Sequence, residues 1–178
     1  MSTAARLFAE RGYDPTSVGD IVEAVGVGKG VFYWYFSSKE ELFAELLRAG
    51  HHDLRRRQQT AIGDEPDPLR RIEMGIVESL DWFAEHRAAF TLFLIARSDE
   101  RFALVLRRTQ EIAVADTVRH LKDAIVEGQI PDRDPEMLAQ AILGVVERLT
   151  LAFAFERGGS PRQVAADAVA FCLDGLRG

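Results

Sequence analysis

The strongest constraint on this chain is the way its apolar residues are spaced and stopped. They recur three and four apart rather than two apart, and each run closes on a glycine or opens at a capping residue. That rhythm predicts an all-α fold of about nine helices and no strand. A first helix is expected from about Thr3 to Arg11, with Ala4, Leu7 and Phe8 inward and Gly12 as its left-handed stop. Asp14-Pro15 turns the chain, Ser17 caps a short second helix with Val18, Ile21 and Val25 inward, and Gly26 ends it. The third spans about Lys29 to Phe36, with Phe32 and Phe36 one turn apart on the buried side. Ser38 and Glu41 read as a capping box that opens a long fourth helix. Asp67-Pro68, Asp134-Pro135 and Ser160-Pro161 each set a capping side chain before a proline at the first helical position. Helices are therefore expected over 67–85, 135–157 and 161–176, and apolar periodicity adds 87–98 and 101–127.

Length and charge narrow the class. The 178 residues suit a small module fused to a larger one, read here as 1–47 and 48–178. No uncharged stretch approaches the ~20 residues of a membrane helix, and the start has no apolar secretory segment, so no membrane and a cytoplasmic location are expected. A single cysteine, Cys172, excludes an internal disulfide and reads as a small buried hydrophobe. The net charge of −6 argues against a protein that coats nucleic acid indiscriminately. Residues 1–57 nevertheless hold eight lysines and arginines against eight acids, whereas 58–178 hold fourteen against twenty. Specific DNA binding is thus permitted in the amino-terminal third.

Two short helices around a glycine-containing turn are the pattern of a helix-turn-helix. Here the pattern is carried by Leu7 to Tyr13, Thr16-Ser17-Val18 through Ile21, Gly26-Val27-Gly28-Lys29-Gly30, Phe32-Tyr33-Trp34-Tyr35-Phe36 and Ser38-Lys39-Glu40. In order, spacing and residue type this string closely resembles the DNA-binding domain of the TetR (tetracycline-repressor) family. A recognition helix presents its outward residues to base edges and phosphates. Lys29 then faces a guanine edge or a phosphate, Tyr33 and Tyr35 offer hydroxyls to phosphate, and Trp34 lies against a thymine methyl. Gly28 and Gly30 allow close backbone approach, while Thr16, Ser17 and Lys39 suit phosphates. Three consecutive polar-tipped aromatics cannot all be buried on one helix, since neighbours lie ~100° apart. Against the family pattern, Gly28 stands where a serine is common, Val31 where threonine or alanine is, and Tyr35 where histidine often is. The chain also starts late, without the first turn of helix one and the basic arm, which predicts weaker DNA affinity.

The rest of the chain yields softer expectations. Helix 135–157 is apolar nearly all round and must be covered on more than one side. The resemblance implies that it and the last helix pair with their mates in a homodimer, through Ile142, Val145, Val146, Leu149, Phe153, Ala168, Phe171 and Cys172. The resemblance also implies a pocket for a small-molecule inducer. Trp82, Phe83, Phe90, Phe93, Leu94, Phe102 and Leu106 are its candidate walls, suited to an apolar or aromatic ligand. Gly26 to Gly30 fails as a phosphate loop, because Glu23 stands where the leading glycine belongs and no Ser or Thr follows Lys29. The adjacent His51 and His52 and the lone His86 and His120 make no chelating pair, so neither metal nor cofactor is expected. The implied activity is a ligand-responsive transcriptional repressor on a palindromic double-stranded operator, not an enzyme. A ligand-sequestering or partner-binding protein without DNA affinity is the alternative.

Overall fold

A computed structural model describes residues 2–178. Among them are nine α-helices and no strand: α1 Ser2–Arg11, α2 Val18–Val25, α3 Lys29–Tyr35, α4 Lys39–Ile62, α5 Pro68–Glu85, α6 Arg87–Arg97, α7 Ala103–Val126, α8 Pro135–Leu149 and α9 Pro161–Arg177. A 3-10 turn, Glu100–Phe102, precedes α7, and a π-helical turn, Thr150–Phe155, follows α8. The all-α expectation and every expected helix are met.

The departures from the expected elements have local causes. Val25 is exposed, because α2 is only eight residues long and Val22 takes the inward place beside Ile21. Glu41 turns its carboxylate to the Ser37 amide at 2.7 Å and the Ser37 hydroxyl at 2.6 Å instead of to the Ser38 amide. Ser38 still caps, accepting from the Glu41 amide at 3.1 Å. Asp99 holds the Arg101 amide at 3.0 Å, so the helix expected from 101 opens as a 3-10 turn. The helix expected to reach 157 leaves α geometry at Thr150, whose buried hydroxyl donates to the Val146 carbonyl at 2.7 Å. Gly159 then donates to the Phe153 carbonyl at 2.8 Å, and a Cβ there would come within 2.9 Å of that oxygen. Only glycine fits. Ser160 precedes α9 without a side-chain cap.

Two compact units result. The first takes in the residues through His52 together with His86–Thr109, and the second Asp53–Glu85 with Gln110–Gly178. α4 and α7 contribute their first parts to one and the remainder to the other. In the first unit α6 packs against α1, and the core is aromatic: Phe8, Tyr13, Phe43 and Phe102 are buried. Their ring centroids lie 4.3 Å (Phe43–Phe102) to 5.6 Å (Phe8–Tyr13) apart. In the second unit α5, α8 and α9 enclose an aliphatic core that includes Leu69, Ile72, Ile76, Leu80, Leu121, Ile142, Val146 and Ala168. The described residues include one segment long and apolar enough to cross a membrane, Pro135–Phe155. Its Leu138, Ala139, Ile142 and Val146 are buried in this core.

Candidate nucleic-acid interface

The helix-turn-helix is built from α2, the Gly26 turn and α3. Gly26 sits at φ +78°, a left-handed conformation that a side chain would strain, and its amide returns to the Val22 and Glu23 carbonyls. At the other end of α2, Ser17 and Asp20 form a reciprocal capping box. The Asp20 carboxyl is held below its usual range by the Ser17 hydroxyl and then by the Ser17 amide. α3 is pinned by Phe32, which is buried and lies 5.7 Å from the Phe36 ring.

Everything else on α3 faces out. Lys29, Gly30, Val31, Tyr33, Trp34 and Tyr35 are exposed, as is the preceding Gly28, and Trp34 reaches 78%. The Trp34 and Tyr35 rings meet edge to face at 4.5 Å. This helix presents aromatic and apolar surface to solvent with one cation, Lys29, at its start.

The three expected phosphate contacts outside α3 are already engaged. Thr16 is fully buried, its hydroxyl donating to the Gly12 carbonyl at 2.7 Å, so its side chain braces the α1–α2 turn and cannot reach a phosphate. Ser17 is exposed, but its hydroxyl belongs to the capping box. Lys39 is half-buried; its ammonium donates to the Tyr13 carbonyl at 2.9 Å and the Asp14 carbonyl at 3.3 Å, and lies 4.3 Å from the Tyr13 ring centroid. Sequence reasoning missed the partner on the same ring: the Arg101 guanidinium stands 4.6 Å from its centroid and donates to Asp14 at 2.9 Å. No local pattern could reveal a tie spanning 87 positions. Burial, and then the neighbouring Glu40, push the Tyr13 phenol upward in pKa, so it stays protonated.

The candidate inducer residues divide between the units. Trp82 and Phe83 belong to the second, where their rings meet at 5.5 Å and the Trp82 indole N–H donates to Asp53 at 2.9 Å. Phe90, Phe93, Leu94, Phe102 and Leu106 belong to the first. Phe102 and Leu106 are spent in its aromatic core rather than in a ligand wall. An open cavity of about 460 Å³ in the second unit is lined by Asp53, Arg56, Arg57, Thr60, Ala61 and Glu78, none of them an expected wall residue.

The expected dimer residues also separate. Ile142, Val146, Ala168 and Cys172 are buried in their own unit's core, with Val145 and Leu149 packed against it. The Cys172 thiol is pushed up to about 11 by burial. Only Phe153 and Phe171 remain exposed, Phe171 at 68%. Beside Phe171, the outward faces carry residues outside that set: Met137, Ala141, Gly144 and Arg148 on α8, and Ala166, Ala170 and Asp174 on α9. A helix apolar all round does not disclose its phase, and the bulkier branched stripe has turned inward.

Comparison with known proteins now decides the family. The sequence model described as "Bacterial regulatory proteins, tetR family" matches residues 1–46. The HTH-type transcriptional regulator TtgR of Pseudomonas putida is 31% identical over 165 residues, 84% of this chain and 75% of TtgR. This chain belongs to the tetR family of bacterial regulatory proteins. The HTH-type transcriptional repressor KstR2 of Mycobacterium tuberculosis is 28% identical over 99% of this tetR-family chain and 90% of its own length. Its solved structure superposes with a TM-score of 0.77, covering 99% of this chain and 92% of that one. The fold also matches that of AibR, solved with isovaleryl coenzyme A and operator DNA, at a TM-score of 0.78 and 22% identity, over 96% and 94% of the two chains. The chain is therefore a transcriptional regulator with an amino-terminal DNA-binding helix-turn-helix.

Proposed function

We propose that this tetR-family protein is a cytoplasmic, homodimeric repressor that holds a palindromic operator in two recognition helices and is released by a small apolar or aromatic ligand. The observation that carries the reading is α3: a buried Phe32 anchors a helix whose remaining side chains, Trp34 foremost, are exposed. Exposed aromatic surface of this kind calls for a partner. The small outward residues of α8 and α9, with Met137 and Phe171 exposed beside them, suit close pairing with a second copy. The apolar ligand class is supported by the name of KstR2, a ketosteroid transcriptional regulator, whereas the isovaleryl coenzyme A solved with AibR joins an apolar acyl group to a phosphate-bearing carrier. The ligand acts by differential affinity, favouring a population with altered spacing of the recognition helices. Selection of bound fragments from genomic DNA, followed by footprinting, tests this. A protected palindrome, released by apolar compounds, is expected; sequence-independent retention of fragments would refute it.

A further inference from the structure

The Arg101 side chain is ordered by its own turn before it reaches the helix-turn-helix. It stands in the 3-10 turn between α6 and α7, beside Phe102, which is buried against the Phe43 and Tyr13 rings at 4.3 and 4.9 Å. Asp99 accepts from the Arg101 Nε at 2.9 Å and from its Nη2 at 2.6 Å, a fork that fixes the plane of the guanidinium. The guanidinium so held lies 4.6 Å from the Tyr13 ring centroid and donates through Nη2 to Asp14 at 2.9 Å. Tyr13 and Asp14 form the turn that enters the helix-turn-helix, and Ser17, the cap of α2, follows shortly after them. Lys39, at the start of α4, holds the same turn by its carbonyls, at 2.9 Å from Tyr13 and 3.3 Å from Asp14. The entry turn is thus held twice: through its backbone by the helix that leaves the module, and through its side chains by the corner between α6 and α7.

Stability does not explain the second hold. The Arg101 and Asp14 side chains are 44% and 76% exposed, and an exposed ion pair adds little to folding. Direction is what the contacts restrict, because a planar fork fixed at one end by Asp99 leaves the Asp14 carboxylate few places to sit. α2 begins just after this turn and packs on α3 across the Gly26 turn, so a tilt of the entry turn carries α3 with it. Resting on the reading of α3 as the recognition helix, we propose that Arg101 is a positioning residue for DNA binding. It is a latch that holds the Tyr13–Asp14 turn, and with it α2 and α3, at the angle an operator requires.

The experiment compares the affinity of the full chain for the duplex recovered by fragment selection with that for a scrambled duplex, well below the melting temperature. Sequence-independent binding asks for no fixed angle, so the ratio of the two reads the latch. An unlatched turn that keeps the binding angle about one-tenth of the time lowers the ratio about tenfold, and that loss is expected of R101Q. The melting temperature of R101Q stays near that of the parent, and the slope of log affinity against log salt is unchanged. D14N, which spares the carbonyls that Lys39 uses, loses as much, and the R101Q/D14N double variant loses no more than either alone. R101K keeps the charge without the fork and recovers only part of the ratio. In the free protein, amide exchange over residues 13–25 quickens in R101Q while exchange over α5 and α9 does not. A parent-like ratio in R101Q, additive losses in the double variant, full rescue by R101K or unaltered exchange overturns the latch. A salt slope lowered by about 1 makes Arg101 a phosphate contact and overturns it as well. Failure to recover any specific duplex overturns the recognition reading beneath it, and the exchange measurement then decides the latch by itself.

Discussion

The two units are built from different materials. The first is knit by interlocking rings, with Tyr13 stacked against Phe8, edge to face with Phe43 and Phe102, and flanked by the Lys39 and Arg101 cations. The second packs branched aliphatic and small side chains and carries arginine–carboxylate pairs at its margin. Arg55 reaches Asp116, Arg57 reaches Glu78 and Glu85, and Arg71 reaches Asp123. Large planar rings interlock in few ways, whereas aliphatic side chains repack at small cost. The ring core of the first unit should therefore tolerate fewer substitutions than the aliphatic core of the second.

This contrast implies a ranked set of outcomes. Phe43 touches three other rings and is fully buried, so F43A should cost about 3–5 kcal/mol and abolish operator binding. In the second unit, I142V should cost only about 0.5–1.5 kcal/mol. Chemical denaturation measures both; because I142V deletes only one methyl group, the volume-conserving I142L is the sharper test of a tolerant aliphatic core, and a cost above about 1.5 kcal/mol would contradict it. K39A removes two hydrogen bonds and a cation–π contact, with an expected loss of about 1–2 kcal/mol in stability. If Lys39 also meets phosphate, the slope of log affinity against log salt falls by about 1 for every duplex sequence; an unchanged slope assigns it to bracing alone. A double-mutant cycle on Arg55 and Asp116, both partly exposed, should give a coupling of up to about 1 kcal/mol that fades with salt. A salt-independent coupling would contradict a marginal ion pair.

The smallest effect concerns pH. Burial first, then Arg71 and Arg119, lower the His120 pKa, with Asp123 and Asp116 opposing. The folded protein therefore disfavours the imidazolium. Because the folded pKa lies below the unfolded value of about 6.5, the unfolded chain binds more protons between the two. Stability from this site is present above that value and is lost as pH falls below it. H120Q should flatten the melting temperature between pH 7 and 5; an unchanged slope would show that His120 does not set it.

Periodicity and capping were legible along the chain because they are local. Ser17, Gly26, Asp67, Asp134 and Pro161 each mark a helix boundary where the structure has one. The outward α3 residues followed from the same logic, since of the aromatic run only Phe32 and Phe36, one turn apart, could point inward. What remained hidden depends on distant partners or on phase. Thr16 turned its hydroxyl to Gly12, and Lys39 gave its ammonium to the Tyr13 and Asp14 carbonyls. Phe102 joined rings far away in sequence, and helices 135–149 and 161–177 chose which apolar side to bury. The π-helical turn over Thr150–Phe155 was equally obscure, because the apolar pattern runs on through it without a break.

The central claim is that exposed α3 reads duplex sequence. Equilibrium affinity for the selected operator, set against a scrambled duplex of equal length at matched salt, tests it most directly. The expected ratio is at least about 10³, reduced by W34A in a protein whose melting temperature is unchanged. Equal affinity for both duplexes, or a ratio indifferent to W34A, would contradict it.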